Sequence, residues 1–128
     1  MLRLVLTLPI VLTACLKDES VSGFVDSSAV YRLEEVDGQV FGAMATLTFP
    51  EFGMLQGQAP CNAYSAQQTV PYPWFRAEAL VSTKRACPDM ATETAFFSGL
   101  QAMTLVEVNG SVLILSNDDG AEMVFRAD

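Results

Sequence analysis

The residues with the widest chemical range in this chain are three cysteines, Cys15, Cys61 and Cys87, and there is no histidine to work with them. A thiolate can attack a substrate, ligate a metal or pair with a second sulfur, and its neighbours decide which. Without histidine there is no Ser-His or Cys-His nucleophile pair, no imidazole proton shuttle and no His-containing zinc site. Cys61 and Cys87 are not a C-x-x-C pair, and two thiolates without an acidic cluster do not complete a tetrahedral zinc shell, so neither metal nor cofactor is expected. Ser82-Thr83-Lys84-Arg85 sets a hydroxyl near an amine, as a Ser-Lys nucleophile needs. That amine must be buried to give up its proton, and two adjacent cations mark a solvated surface. Glu34, Glu35 and Asp37, and likewise Asp118 and Asp119, are carboxylates close enough in sequence to suggest acid–base work or calcium binding. Adjacent strand residues face opposite sides, however, and an Asp-Asp-Gly turn needs no ion to exist. No catalytic residue emerges.

The first of the three cysteines stands apart. Met1-Leu2-Arg3 carries one positive charge, and an apolar run from Leu4 to Leu12 follows it, the layout of an export signal. The run is well short of the roughly 20 residues that a spanning helix needs. Its end, Leu12-Thr13-Ala14-Cys15, resembles the lipobox of bacterial lipoproteins, an aliphatic residue and two small ones before a cysteine. The alternatives are an ordinary signal peptide with a chance cysteine, or a buried N-terminal strand. The resemblance implies cleavage of residues 1–14 and acylation of Cys15, and at about 0.8 kcal/mol per buried methylene two or three acyl chains hold a protein on a membrane essentially permanently. Leu16, rather than an aspartate, follows the modified cysteine, which by the family's sorting logic points to the outer membrane rather than the inner one. Residues 15–27 then read as the lipidated N-terminus and a polar tether, and 28–128 as the folded domain.

That domain has what it needs to fold. The chain has 128 residues, 51% of them hydrophobic and 17% charged, enough for one core. Seven Lys and Arg against 15 Asp and Glu give a net charge of −8, and losing Arg3 with the leader makes the mature chain more acidic still. Nucleic-acid affinity comes mainly from cations displacing counterions, so DNA and RNA are excluded as partners. Alternation marks strands at Val30–Glu35, Ala45–Phe49, Met54–Gln58, Phe75–Val81 and Glu122–Phe125. Leu105–Val108 and Ser111–Leu115 flank Asn109-Gly110, which predicts a hairpin with a type I′ turn. The prolines at 71 and 73 predict an edge or a loop, leaving Tyr72, Trp74 and Phe75 as core or as an exposed patch. After Pro88, Asp89 is positioned to cap a helix that buries Phe96, Leu100 and Met103 at i, i+4 and i+7 while Thr92, Glu93 and Gln101 stay wet. Gly99 weakens that helix by about 1 kcal/mol relative to alanine.

Several stretches in the middle and at the end of the chain carry a family resemblance. These are Gly57-Gln58-Ala59-Pro60-Cys61-Asn62-Ala63-Tyr64, then Ser82-Thr83-Lys84-Arg85-Ala86-Cys87-Pro88, then Glu93, Phe96 and Leu100, and finally Leu113, Gly120 and Phe125. Together they resemble the META domain, also called the HslJ-like family. Pro60 stands where a glycine is usual, Ala66 replaces another, and an early tryptophan is absent, with Tyr31 nearby. The resemblance implies an α+β fold, a small antiparallel, partly barrel-like sheet with one packed helix. It also implies an envelope location and a link to stress or drug tolerance, without an enzymatic activity.

With Cys15 taken by lipid, Cys61 and Cys87 are an even pair in an oxidising compartment, and a disulfide is expected over two buried free thiols. Closing a loop of about 27 residues contributes about 3.6 kcal/mol on the chain-entropy model. Asn62 reads as a cap on its own turn in preference to a recognition residue. The functional expectation is a non-enzymatic, monomeric, lipid-anchored protein facing the periplasm, with the membrane as partner through Cys15 and a further protein or small-molecule partner unidentified. The alternative is a binder of a small apolar molecule or lipid within the curved sheet, which requires an open interior.

Overall fold

The computed structural model describes residues 4–10 and 17–128. Cys15 and the end of the expected signal segment lie outside the described residues. Residues 4–10 form neither helix nor strand, and no helix among the described residues is long and apolar enough to cross a membrane.

Nine strands and one helix follow in the order β1 (Tyr31–Val36), β2 (Gln39–Val40), β3 (Thr46–Leu47), β4 (Met54–Gln58), β5 (Ala63–Gln67), β6 (Glu78–Ser82), α1 (Met90–Ala102), β7 (Leu105–Asn109), β8 (Val112–Ser116) and β9 (Glu122–Ala127). One sheet runs β2-β1-β9-β8-β7 with β3 also on β1, and the other runs β4-β5-β6, every pairing antiparallel. This is the expected α+β class. The β7–β8 hairpin forms with its turn one residue later than expected. Asn109 pairs with Val112, so Gly110 and Ser111 make the loop, and Gly110 alone takes a positive φ of 59°. Drawing Asn109 into the ladder confines the left-handed conformation to the residue that adopts it without steric cost.

The backbones of the two sheets pair at one isolated bridge, in which Thr48 N–H donates to the Gln56 carbonyl at 2.7 Å and Gln56 N–H returns the bond at 3.0 Å. They do not close into a barrel, which corrects the partly barrel-like expectation. The segment that would complete the circuit contains Pro71 and Pro73, which lack the N–H a ladder needs, and its backbone pairs with β7 at the isolated Trp74–Leu105 bridge. The aromatic residues there divide. Phe75 is buried, Tyr72 is half-buried, and Trp74 is 57% exposed.

Helix α1 packs on β5, where Phe96 and Phe97 meet Tyr64, and joins the common core. Phe96 and Leu100 are buried along with Met103, as their spacing predicts. A Cβ built on Gly99 would come only to 3.8 Å from Met123 Sδ on β9, ordinary contact, and the helix runs through this position unbroken. Asp89 makes no side-chain cap, correcting that expectation. Its φ of −91° and ψ of 20° depart from the extended conformation in which an N-cap side chain turns back on the helix.

Leu47, Phe49, Leu55, Leu113, Leu115 and Phe125 are each at most 1% exposed and share one core with Phe96 and Leu100 of the helix. The interior is thus occupied by side chains, against the open interior that a bound apolar molecule would require. A further correction concerns the tether. Ser20 and Val21 are buried, Val21–Gly23 forms a 3-10 turn, and the Glu19 carbonyl accepts the Tyr72 N–H at 2.7 Å. The chain is docked from Glu19 onward, because Val21 gains more by filling the core than a polar linker gains by staying solvated.

Candidate functional site

Loop 83–88, the strand β5 and the first turns of α1 converge on Asn62, which is buried. The chain becomes strand straight after Asn62, since Ala63–Gln67 alternates in burial and pairs with both β4 and β6. The Asn62 side chain does not cap its own turn. Its Nδ2 donates to the Arg85 carbonyl at 3.0 Å and to Glu93 Oε2 at 2.8 Å, while Oδ1 accepts from Thr83 Oγ1 at 2.9 Å and from Arg85 N–H at 2.7 Å. Two donors and two acceptors exhaust the amide.

Glu93 completes the group and corrects the wet position expected for it. It is buried, and its Oε1 accepts the backbone N–H of Cys61 at 3.0 Å and of Asn62 at 2.7 Å. A carboxylate taken out of water must be hydrogen-bonded, and three N–H groups surround this one. Its place in the first turn of α1 adds the favourable field of the helix N-terminus. The signal for its burial is the spacing 93, 96, 100 and 103, which sets Glu93 on the apolar stripe itself.

Beside this group Cys61 and Cys87 form a disulfide, with Cα atoms 5.8 Å apart. Covalent bond and hydrogen bonds therefore tie the same two segments. Two residues beyond Asn62, Tyr64 O–H donates to the Thr46 carbonyl at 2.6 Å, and its ring meets Phe96 and Phe97 edge-on at 5.5 and 5.4 Å. Burial pushes the Tyr64 phenol well above the ordinary tyrosine range. Gly57, the ladder partner of Tyr64, has no side chain for a steric reason, since a Cβ there would fall 2.0 Å from the Thr46 carbonyl oxygen. The sequence offers no direct sign of Thr46 as the common acceptor, or of Gln68, buried and holding the 70–76 loop by accepting Arg76 N–H at 2.6 Å.

The motif residues thus separate into those brought together and those left outside. Cys61 and Asn62 meet Glu93 directly, Thr83 joins through Asn62 and Cys87 through Cys61, and Gly57 and Tyr64 both lie against Thr46. Ser82 is a ladder residue opposite Tyr64, while Ala86 and Pro88 are exposed on the loop. Lys84 and Arg85 are exposed. Of the first acidic run, Glu34 is paired to Arg126 at 3.3 Å and Asp37 Oδ1 accepts Glu122 N–H at 2.8 Å. Among the described residues no three His, Cys, Asp or Glu side chains are grouped to hold a metal ion. Every buried side-chain nitrogen or oxygen among them has a hydrogen-bond partner.

Comparison with known proteins bears on family and fold. The META domain model matches residues 27–128. A protein from Burkholderia xenovorans solved by NMR superposes with a TM-score of 0.65 at 20% identity, over 96% of this chain and 99% of that one. A second NMR structure gives 0.61 at 18% identity, over 78% and 89%. A DUF4847 family protein from Bacteroides vulgatus, a crystal structure, gives 0.52 at 15% identity, over 64% and 57%. At these identities the likeness is one of fold. No curated protein matches the chain.

Proposed function

The chain belongs to the META domain family, and from that premise we propose that it is a non-enzymatic, monomeric protein of the bacterial cell envelope, anchored by acyl chains on Cys15. It faces the periplasm from the outer membrane and acts in stress or drug tolerance through its surface. The observation that carries this reading is the closure of the motif residues on one another. Asn62 spends its whole hydrogen-bonding capacity inside the protein, Glu93 is held by three N–H groups, and the sulfurs of Cys61 and Cys87 are joined. Groups so committed hold a fold and have nothing left for a substrate. Ser82 and the exposed Lys84 lack the burial that a Ser-Lys nucleophile requires.

Intact mass of the membrane-fraction protein, with and without reductant, tests the reading. The expected species has lost residues 1–14, carries added acyl mass, and gains two protons on reduction. Cys15→Ser should abolish the acyl mass and shift the protein out of the membrane fraction. An unacylated species beginning at Met1, or a Cys15→Ser variant that fractionates like the parent, overturns the anchoring.

A further inference from the structure

We propose that the end of the domain where the chain enters it rests on a bilayer surface of aminated, zwitterionic headgroups, with Phe24, Val30 and Trp74 set into the headgroup layer. The proposal takes the acylation of Cys15 from the reading above and adds an orientation and a lipid class. Glu19, the first of residues 17–128 to be hydrogen-bonded to the body of the domain, lies only four positions after Cys15. Fully extended, four residues span no more than about 14 Å.

The docking that ends the tether is firm. The Asp18 carboxylate accepts the Ser20 N–H at 2.9 Å and the hydroxyls of Ser20 and Ser22, Val21 is fully buried, and a Cβ on Gly23 would lie 2.2 Å from the Asp18 carbonyl oxygen. With acyl chains inserted, this end of the protein stays at the membrane surface.

The side chains displayed there suit that position. Phe24 is 51% exposed and stacks on Tyr72 with ring centroids 4.5 Å apart. Val30, half exposed, lines an open cavity of about 540 Å³ together with Phe24, Tyr31 and Val108. Trp74 lies two residues beyond Tyr72, exposed at the β7 edge. Aromatic residues with one apolar and one wet side are favoured at the headgroup level. The charges choose the lipid. Asp18, Glu19 and Asp26 lie on the entering segment, with Lys17 its single cation after Cys15. Such a surface repels anionic phosphates and attracts the ammonium of an ethanolamine headgroup.

Trp74 is the only tryptophan in the chain, so its fluorescence reads the contact without a substitution. The acylated mature protein is reconstituted on vesicles of phosphatidylethanolamine and phosphatidylcholine, a fraction of the lipid brominated near the headgroup, and followed by flotation and by emission. The expected result is co-flotation with Trp74 emission shifted to shorter wavelength and quenched by the brominated lipid. Both effects should weaken when phosphatidylglycerol replaces phosphatidylethanolamine at low salt, and weaken in a Phe24→Ser, Val30→Ser double variant. Protein that floats with unshifted, unquenched emission overturns the orientation and leaves the anchor standing. Protein that carries the acyl chains and fails to float overturns the anchor itself. Equal or stronger quenching on phosphatidylglycerol overturns the headgroup assignment, and equal quenching in the double variant removes Phe24 and Val30 from the contact.

Discussion

Two carboxylates in this protein do the same chemistry at different range. Asp18 accepts one backbone N–H and two hydroxyls from residues no more than four positions away, and it is only partly buried. Glu93 accepts three N–H groups from residues 31 and 32 positions away, and it is buried. The local knot shapes a turn that is short-range in any conformation of the chain and that water can partly replace. The distant one closes a long loop and stands in for water that cannot reach it, so its loss leaves orphaned donors in the interior. Similar bonds therefore differ in leverage through sequence separation and burial.

The sharpest break of this comparison is Glu93→Ala, which strands the N–H groups of Cys61 and Asn62 and one amide hydrogen of Asn62. It should cost about 3–5 kcal/mol, read as a fall in the urea midpoint. A cost near 1 kcal/mol would show that water substitutes for the carboxylate. Next comes the disulfide across the same junction. The Cys61→Ala, Cys87→Ala double variant should lose about 3–4 kcal/mol by the same measurement. Combined with Glu93→Ala it should depart from additivity, because both ties hold the same pair of segments.

Tyr64→Phe should cost about 1 kcal/mol for the bond to the Thr46 carbonyl, and it carries a pH signature. The folded-state pKa of this phenol lies above its unfolded value, so its contribution is whole below pH about 10 and declines as pH rises beyond that, where only the unfolded chain releases the proton. The variant should therefore flatten the loss of stability between neutral and strongly alkaline pH, leaving the smaller share of Tyr31, whose phenol is also raised by burial and by Asp26. The smallest effect is expected from Asp18→Ala, about 1 kcal/mol or less, with faster amide exchange confined to residues 20–24. Global destabilisation as large as that of Glu93→Ala would erase the distinction drawn between the two carboxylates.

Much of the fold is legible along the chain because it rests on short-range patterns. The alternation of Tyr31, Leu33 and their polar neighbours, the glycine turns, and the stripe of Phe96, Leu100 and Met103 all follow from periodicities that local geometry imposes. Glu93 escaped that reading because its charge argued for solvent while its spacing argued for the core, and only the opposing N–H groups of Cys61 and Asn62 settle the matter. Asn62 reads as a turn residue for the same reason, since its partners Thr83 and Arg85 are more than 20 positions away.

What the chain determined by itself is the α+β class, the helix and most of the strands, the absence of any imidazole, and the acidic balance. The tertiary structure alone decided that Glu93 is an interior staple, that Gly57 must lack a side chain beneath the Thr46 carbonyl, and that Val21 draws the entering segment into the core. Local geometry is written in neighbouring residues. The energy of a buried polar group depends on what lies opposite it, and that is known only once distant segments have met.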